Sequence, residues 1–118
     1  RGSYLAFAGI NGEQLINAEQ NAAVELFHNN SRKFQTTTTG AKVTGNFEPE
    51  ADATRDLGSA SLRWANIYSA DLQLSNEGAA NDVDGTWGQY TIQEGEDDLF
   101  LINRRNGKKY KFMLQEVN

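Results

Sequence analysis

The chain has no cysteine, one proline, one methionine and a single histidine in 118 residues. Without cysteine there is no disulfide framework, thiolate metal site or thiol nucleophile; that absence leaves the compartment open. His28 is the sole imidazole, so a Ser-His-Asp arrangement has one base to draw on, and no strained nucleophile turn accompanies it. No catalytic residue is therefore assigned. Hydrophobic residues make up only 38% of the chain, against about 45–50% apolar in globular domains, a tally that also counts glycine. So short and polar a chain has difficulty burying a sizeable core alone. Burial against copies of itself is one solution; a small polar monomeric β domain is the other. No run is long and apolar enough to span a bilayer, no signal-peptide pattern is visible, and no membrane insertion is expected. Basic residues are the minority: net charge is −5 and the pI is about 4.8. A balance of that sign argues against non-specific nucleic-acid or membrane binding, which need a basic field.

Threonine, asparagine, glycine and serine are abundant, and short apolar alternations are punctuated by polar turns, a pattern that predicts β structure throughout. Arg1-Gly2-Ser3 has the composition of a cloning scar and is given no structural weight. From Tyr4 to about Gln20, Leu5, Phe7, Leu15 and Ile16 form two apolar patches around Asn11-Gly12, a hairpin signal because both residues tolerate positive φ. Ala23–His28 predicts a strand, Asn29-Asn30-Ser31 a turn, and Arg32–Thr39 a second, threonine-rich strand broken at Gly40. Ala41, Val43, Gly45 and Phe47 then alternate with Lys42, Thr44, Asn46 and Glu48, which is period two with one small or apolar face. Residues 48–52 form a polar break around Pro49. Beyond it, Ser59 or Ser61 is a candidate N-cap for a short helical turn containing Arg63 and Trp64. Tyr68–Leu74 reads as a strand, with a helix over Ser61–Tyr68 as the alternative, since Trp64, Ile67 and Tyr68 also fit helical spacing. After a polar loop at 75–85, the last third predicts an antiparallel meander. Its strands are Thr86–Gln93, Leu99–Asn103 and Lys109–Gln115, the last two joined by a type I′ candidate at Asn106-Gly107.

Three motifs in order carry a resemblance. Ala23 to Asn46, with its Asn/Ser turn, Lys33-Phe34, the threonine run, Gly40 and Val43-Thr44-Gly45, resembles a repeat of bacteriophage tail-fibre and tailspike proteins. Asp56-Leu57-Gly58-Ser59 with Leu62-Arg63-Trp64 and Ile67-Tyr68 resembles a second fibre motif, found at the end of the shaft. Leu74–Gly78, Asn81–Gly88 and Lys108–Phe112 look like the C-terminal segment of fibre-like proteins of marine phages, cyanophages especially.

The resemblance implies an all-β, elongated, intertwined homotrimeric β shaft over residues 1–50, followed by a small antiparallel β tip domain over 51–118. It places the chain on the virion, in the phage tail, and gives it a role in host attachment. The partners it implies are two further copies and a host polysaccharide, lipopolysaccharide or outer-membrane protein. It also requires more chain before Tyr4. In some fibres the second motif leads into a self-cleaving chaperone domain with a serine nucleophile, a lysine partner and long helices. Here it leads into a short β meander, and autoproteolysis is not carried over.

For the trimer core, Val24, Leu26, Phe34, Val43, Phe47, Leu57, Trp64 and Tyr68 are the expected contributors. Arg104 and Arg105, with Trp87 and Tyr90, are candidates for receptor contact, since a basic turn suits anionic sugars or lipid phosphates. The plainer reading of Arg104–Lys111 is a solvated tip, or a partner for the acidic Glu94–Asp98 turn of a neighbouring subunit. The tryptophans and tyrosines are more often interface anchors than sugar platforms. His28 on a threefold axis is a conceivable metal ligand, but the ligand spacing of a metal site is missing and a surface or interface role is expected. Asp82-Val83-Asp84-Gly85 faintly resembles the opening of a calcium loop, yet its twelfth position is Gln93, a neutral residue. No metal and no cofactor are assigned. The many carboxylates invite comparison with glycoside hydrolysis, but solvated turns and charged edges account for them. Three rivals stand beside the fibre reading: a monomeric carbohydrate-binding β domain, a depolymerase fragment, and a baseplate or capsid part without a receptor role.

Overall fold

Asn29 and Asn30 both adopt left-handed backbone, at φ 48° and 58°. That conformation makes a two-residue type I′ hairpin loop, whose twist matches its flanking strands. Around this turn the computed structural model, which describes residues 3–118, builds five strands: β1 (Tyr4–Ala8), β2 (Gln14–Glu19), β3 (Val24–His28), β4 (Ser31–Thr37) and β5 (Gly40–Val43). They pair antiparallel in chain order as one sheet. The reading of Arg1-Gly2 falls outside the described residues. The β1–β2 hairpin turns at Asn11-Gly12, and Gly12 alone takes positive φ there. The β4–β5 loop is Thr38-Thr39, so Gly40 opens the new strand, paired with Thr37, instead of ending the old one.

Register decides what this sheet presents. Phe7 pairs with Ile16, Ile16 with Leu26, Leu26 with Phe34, and Phe34 with Val43. Directly opposite residues share a face, so an apolar row crosses all five strands. Leu5, Ala18 and Val24 form the next row on the same face. The intervening row, Ala6, Asn17, Glu25, Gln35 and Lys42, is polar and lies on the opposite face.

A second antiparallel sheet is built from β6 (Leu72–Ser75), β7 (Gln89–Glu94), β8 (Leu99–Asn103) and β9 (Lys109–Lys111), again in chain order. Leu72, Ile92, Leu101 and Tyr110 form its cross-strand apolar row. Gln73, Thr91, Ile102 and Lys109 form the neighbouring row on the other face, where Thr91 and Ile102 are the buried pair. The backbone divides into two compact units, one ending at Leu57 and the other Gly58–Asn118, each holding one sheet. The fold is thus all-β, with two antiparallel meanders.

Residues 44–71 contain neither helix nor strand, so the helix considered over Ser61–Tyr68 does not form. Instead Ser59 N–H donates to the Leu62 carbonyl at 3.0 Å and Leu62 N–H donates to Ser59 Oγ at 3.0 Å. This closes a tight loop, and side-chain bonding of that kind competes with helix nucleation. Gly58 is required beneath it. Its φ is +87°, and a Cβ there would meet Leu62 O at 2.9 Å and the Trp64 ring at 3.4 Å. The strand expected over Tyr68–Leu74 starts only at Leu72, because Ser69 Oγ donates to the Asp71 carbonyl at 2.5 Å and turns the chain there. The strand expected over Lys109–Gln115 ends at Lys111. β8 begins at Leu99, whose carbonyl accepts from Phe112 N–H at 3.0 Å, and offers nothing opposite Met113.

Candidate functional site

The turn after β8 differs from the expected type I′ form. Only Gly107 is left-handed, at φ 74°. A four-residue loop, Arg104 to Gly107, is closed by Gly107 N–H donating to Asn103 O at 2.8 Å and Asn103 N–H donating to Lys108 O at 2.9 Å. Asn103 Oδ1 accepts Arg105 N–H at 2.9 Å, and Asn106 Oδ1 accepts Lys108 N–H at 2.9 Å. These local bonds shape the turn and aim both arginines back across β7 instead of outward.

The Arg105 guanidinium lies 3.7 Å from the centroid of the Trp87 ring, and its Nη1 donates to the Trp87 carbonyl at 2.9 Å. A cation over an indole is worth about 0.5–1 kcal/mol at exposed sites. Arg104 reaches the other way: its backbone N–H donates to Gln89 O at 2.8 Å, and its Nε donates to Thr91 Oγ1 at 2.9 Å. Thr91, wholly buried, donates its own hydroxyl hydrogen bond to Gln73 Oε1 at 2.6 Å. Asn103 Nδ2 donates to the Tyr90 hydroxyl at 3.2 Å. Arg104, Arg105, Trp87 and Tyr90, far apart in sequence as two pairs, are therefore neighbours at one end of the second sheet.

Beside them, loop 76–88 is organised by Asn81. Its Oδ1 accepts the backbone N–H groups of Val83 and Asp84 at 2.8 and 3.0 Å, and its Nδ2 donates to Asp84 Oδ1 at 2.7 Å and Thr86 O at 2.8 Å. Asp84 Oδ1 also accepts from Thr86 N–H at 3.1 Å and Thr86 Oγ1 at 2.8 Å. The Asn81 amide, then the Thr86 hydroxyl and backbone N–H, hold the Asp84 carboxyl below the usual aspartate range. Gly88 N–H donates to Asn76 Oδ1 at 2.7 Å and ties the loop's base to β7. Between this loop and the strand ends lies an open depression of about 510 Å3, walled by Leu74, Trp87 and Tyr90, with Asn76, Asn81 and Asp84 on its polar side. The segment that faintly resembled a calcium loop thus has its Asp84 carboxylate engaged by the loop's own donors. Among the described residues, no group of three or more His, Asp or Glu side chains is gathered as a metal ion would need.

The residues expected in a trimer core fall into three places. Leu26, Phe34 and Val43 share the apolar row of the first sheet, and Val24 lies in the row beside them. Phe47 and Leu57 line a shallow depression with Pro49 and Arg55. Trp64 leans on Gly58, and Tyr68 stands 94% exposed. Sequence reasoning left Phe7 and Ile16 out of this group, as well as the whole Leu72–Ile92–Leu101–Tyr110 row. The alternation of Leu5 with Phe7 and of Ile16 with Ala18 was the available signal. His28 is exposed at the end of β3. The acidic Glu94–Asp98 turn, one alternative partner for the basic tip of a neighbouring subunit, has a partner within the chain, Lys111 Nζ at 3.4 Å from Asp98.

No family model matches the chain, and no curated protein or solved structure matches it either.

Proposed function

We propose that this chain is part of a bacteriophage tail fibre, a homotrimeric structural protein of the virion that attaches the phage to its host. The observation that carries the reading is that, among the described residues, each unit holds one sheet and no second layer of strands or helices. The chain exposes 10790 Å2, whereas two compact globules of half its mass each would expose only about 7700 Å2 together. The difference, roughly 3000 Å2, falls within the ~2000–5000 Å2 of obligate interfaces. Leu26 and Val24 are each 42% exposed despite central places in their sheet, and Leu72 and Tyr110 are exposed in the second. A sheet with one apolar face requires a second layer.

Geometry favours three copies. A five-residue strand spans ~17 Å. Three sheets set as the sides of a triangle of that edge lie about 5 Å from its centre, half the ~10 Å spacing of packed sheets. One apolar side chain per strand then reaches the axis, which suits the row that crosses all five strands of the first sheet, with Leu5, Ala18 and Val24 flanking it. Repetition of the tip three times multiplies a weak receptor contact by avidity. The receptor in this reading is a host polysaccharide, lipopolysaccharide or outer-membrane protein.

The test is the solution mass of the whole chain by light scattering during size exclusion, repeated on dilution. The expected mass is near three times 13.1 kDa, persisting at nanomolar concentration. A folded monomer would overturn the proposal.

A further inference from the structure

The depression beside Trp87 and the basic turn next to it differ in what they offer a ligand. Both arginines are turned onto the protein. Arg105 is held over the indole at 3.7 Å and bonded to the Trp87 carbonyl, and Arg104 Nε is bonded to the buried Thr91 hydroxyl. Neither lines the depression. What lines it is an apolar wall of Leu74, Trp87 and Tyr90, and a polar side that includes the Asp84 carboxylate. Asp84 uses Oδ1 for Asn81 and Thr86, leaving Oδ2 to a ligand. Asn76 uses Oδ1 for Gly88 N–H, leaving its amide N–H groups. Tyr90 accepts from Asn103 and keeps its own proton to donate.

We propose, resting on the attachment role above, that this depression binds a neutral hexopyranose unit of a surface glycan. A pyranose has a C–H face bordered by hydroxyl groups. The face packs on the Trp87–Tyr90 wall, as apolar surface does in small-molecule sites, while a few placed polar groups fix orientation. Hydroxyl protons donate to Asp84 Oδ2, a charge-assisted bond stronger than a neutral one. The same carboxylate repels uronic and sialic acids. The volume, about 510 Å3, is within the ~300–1000 Å3 of ligand sites. The wall is held before binding, by Arg105 on Trp87 and by Asn103 on Tyr90, so little ordering is left for the ligand to cause. The site lies at the end of the sheet, in the row Leu74–Tyr90–Asn103, one row removed from Leu72–Ile92–Leu101–Tyr110.

The experiment is saturation-transfer NMR on the whole chain with the methyl glycosides of glucose, galactose, mannose, N-acetylglucosamine and glucuronic acid. At least one neutral glycoside is expected to receive saturation on its ring C–H protons, and the glucuronide none. Trp87→Ala is expected to weaken that binding about tenfold or more, while Met113→Ala, at an exposed side chain away from the depression, leaves it unchanged. Asp84→Asn retains an oxygen for Thr86, removes the charge, and is expected to admit the glucuronide. If Trp87→Ala does not fold, Asp84→Asn decides: a gain of glucuronide binding supports the site and no gain overturns it. Silence from every neutral glycoside, or tighter binding of the glucuronide by the unaltered chain, also overturns it. The mass of the same sample separates this proposal from the one it rests on. A trimer without sugar response loses only the site; a monomer with sugar response loses only the fibre.

Discussion

Thr91 shows how one side chain can tie together the strands of a four-stranded sheet. Its hydroxyl donates to Gln73 Oε1 at 2.6 Å and accepts from Arg104 Nε at 2.9 Å, linking β6, β7 and the turn after β8 through one wholly buried atom group. Thr91→Val keeps the shape and removes the hydroxyl, leaving an amide oxygen and a guanidinium N–H without their partner. The expected cost is about 1–3 kcal/mol, read as a lower urea midpoint with unchanged slope; a variant as stable as the parent would show that water replaces the link. Arg105 and Trp87 form the second such device. Sequence inspection had singled both out, but as contacts for a receptor. Nothing in the order of residues says that a turn arginine folds back onto an indole 18 positions earlier, as its bond to the Trp87 carbonyl requires.

At the scale of elements, hairpins carry the fold, and their turns are local chemistry. The Asn29-Asn30 loop needs two left-handed residues in succession, which asparagine tolerates and β-branched residues do not. Asn30 Oδ1 also accepts Gln14 N–H at 2.7 Å, fastening the loop to β2. Asn29→Val is therefore expected to cost about 1–2 kcal/mol, and Asn29→Gly close to nothing, both measured as shifts in the thermal midpoint at fixed chain concentration. Strands bounded by such turns were legible: β3 and β8 match the expected Ala23–His28 and Leu99–Asn103 nearly residue for residue. Strand lengths were less so. Tyr68–Leu74 and Lys109–Gln115 both alternate correctly, but the first is cut short by the turn at Ser69 and the second by the end of its neighbour β8, and neither limit is written in the alternation.

For the whole molecule, the apolar face of the first sheet is the surface that the fibre reading fills with further copies. Leu26 sits at the middle of the Phe7–Ile16–Leu26–Phe34–Val43 row. A carboxylate there would be taken into the shared core without a partner, which costs several kcal/mol per copy. Leu26→Asp is expected to lower the solution mass from three chains to one. Lys42→Glu, on the opposite face, is expected to leave it unchanged. Equal behaviour of the two variants would place the contact between copies elsewhere.

The sequence by itself determined the class of this fold and the position of most turns. Period-two alternation, asparagine and glycine in left-handed positions, and the scarcity of apolar residues are properties of neighbours in the chain, and they act before any long-range contact exists. Only the tertiary structure decided which residues stand side by side. The five-strand row, the Arg104–Thr91–Gln73 link, the Arg105–Trp87 contact and the depression walled by Leu74, Trp87 and Tyr90 all depend on register between separate strands. A shift of one residue in that pairing would send each side chain to the opposite face.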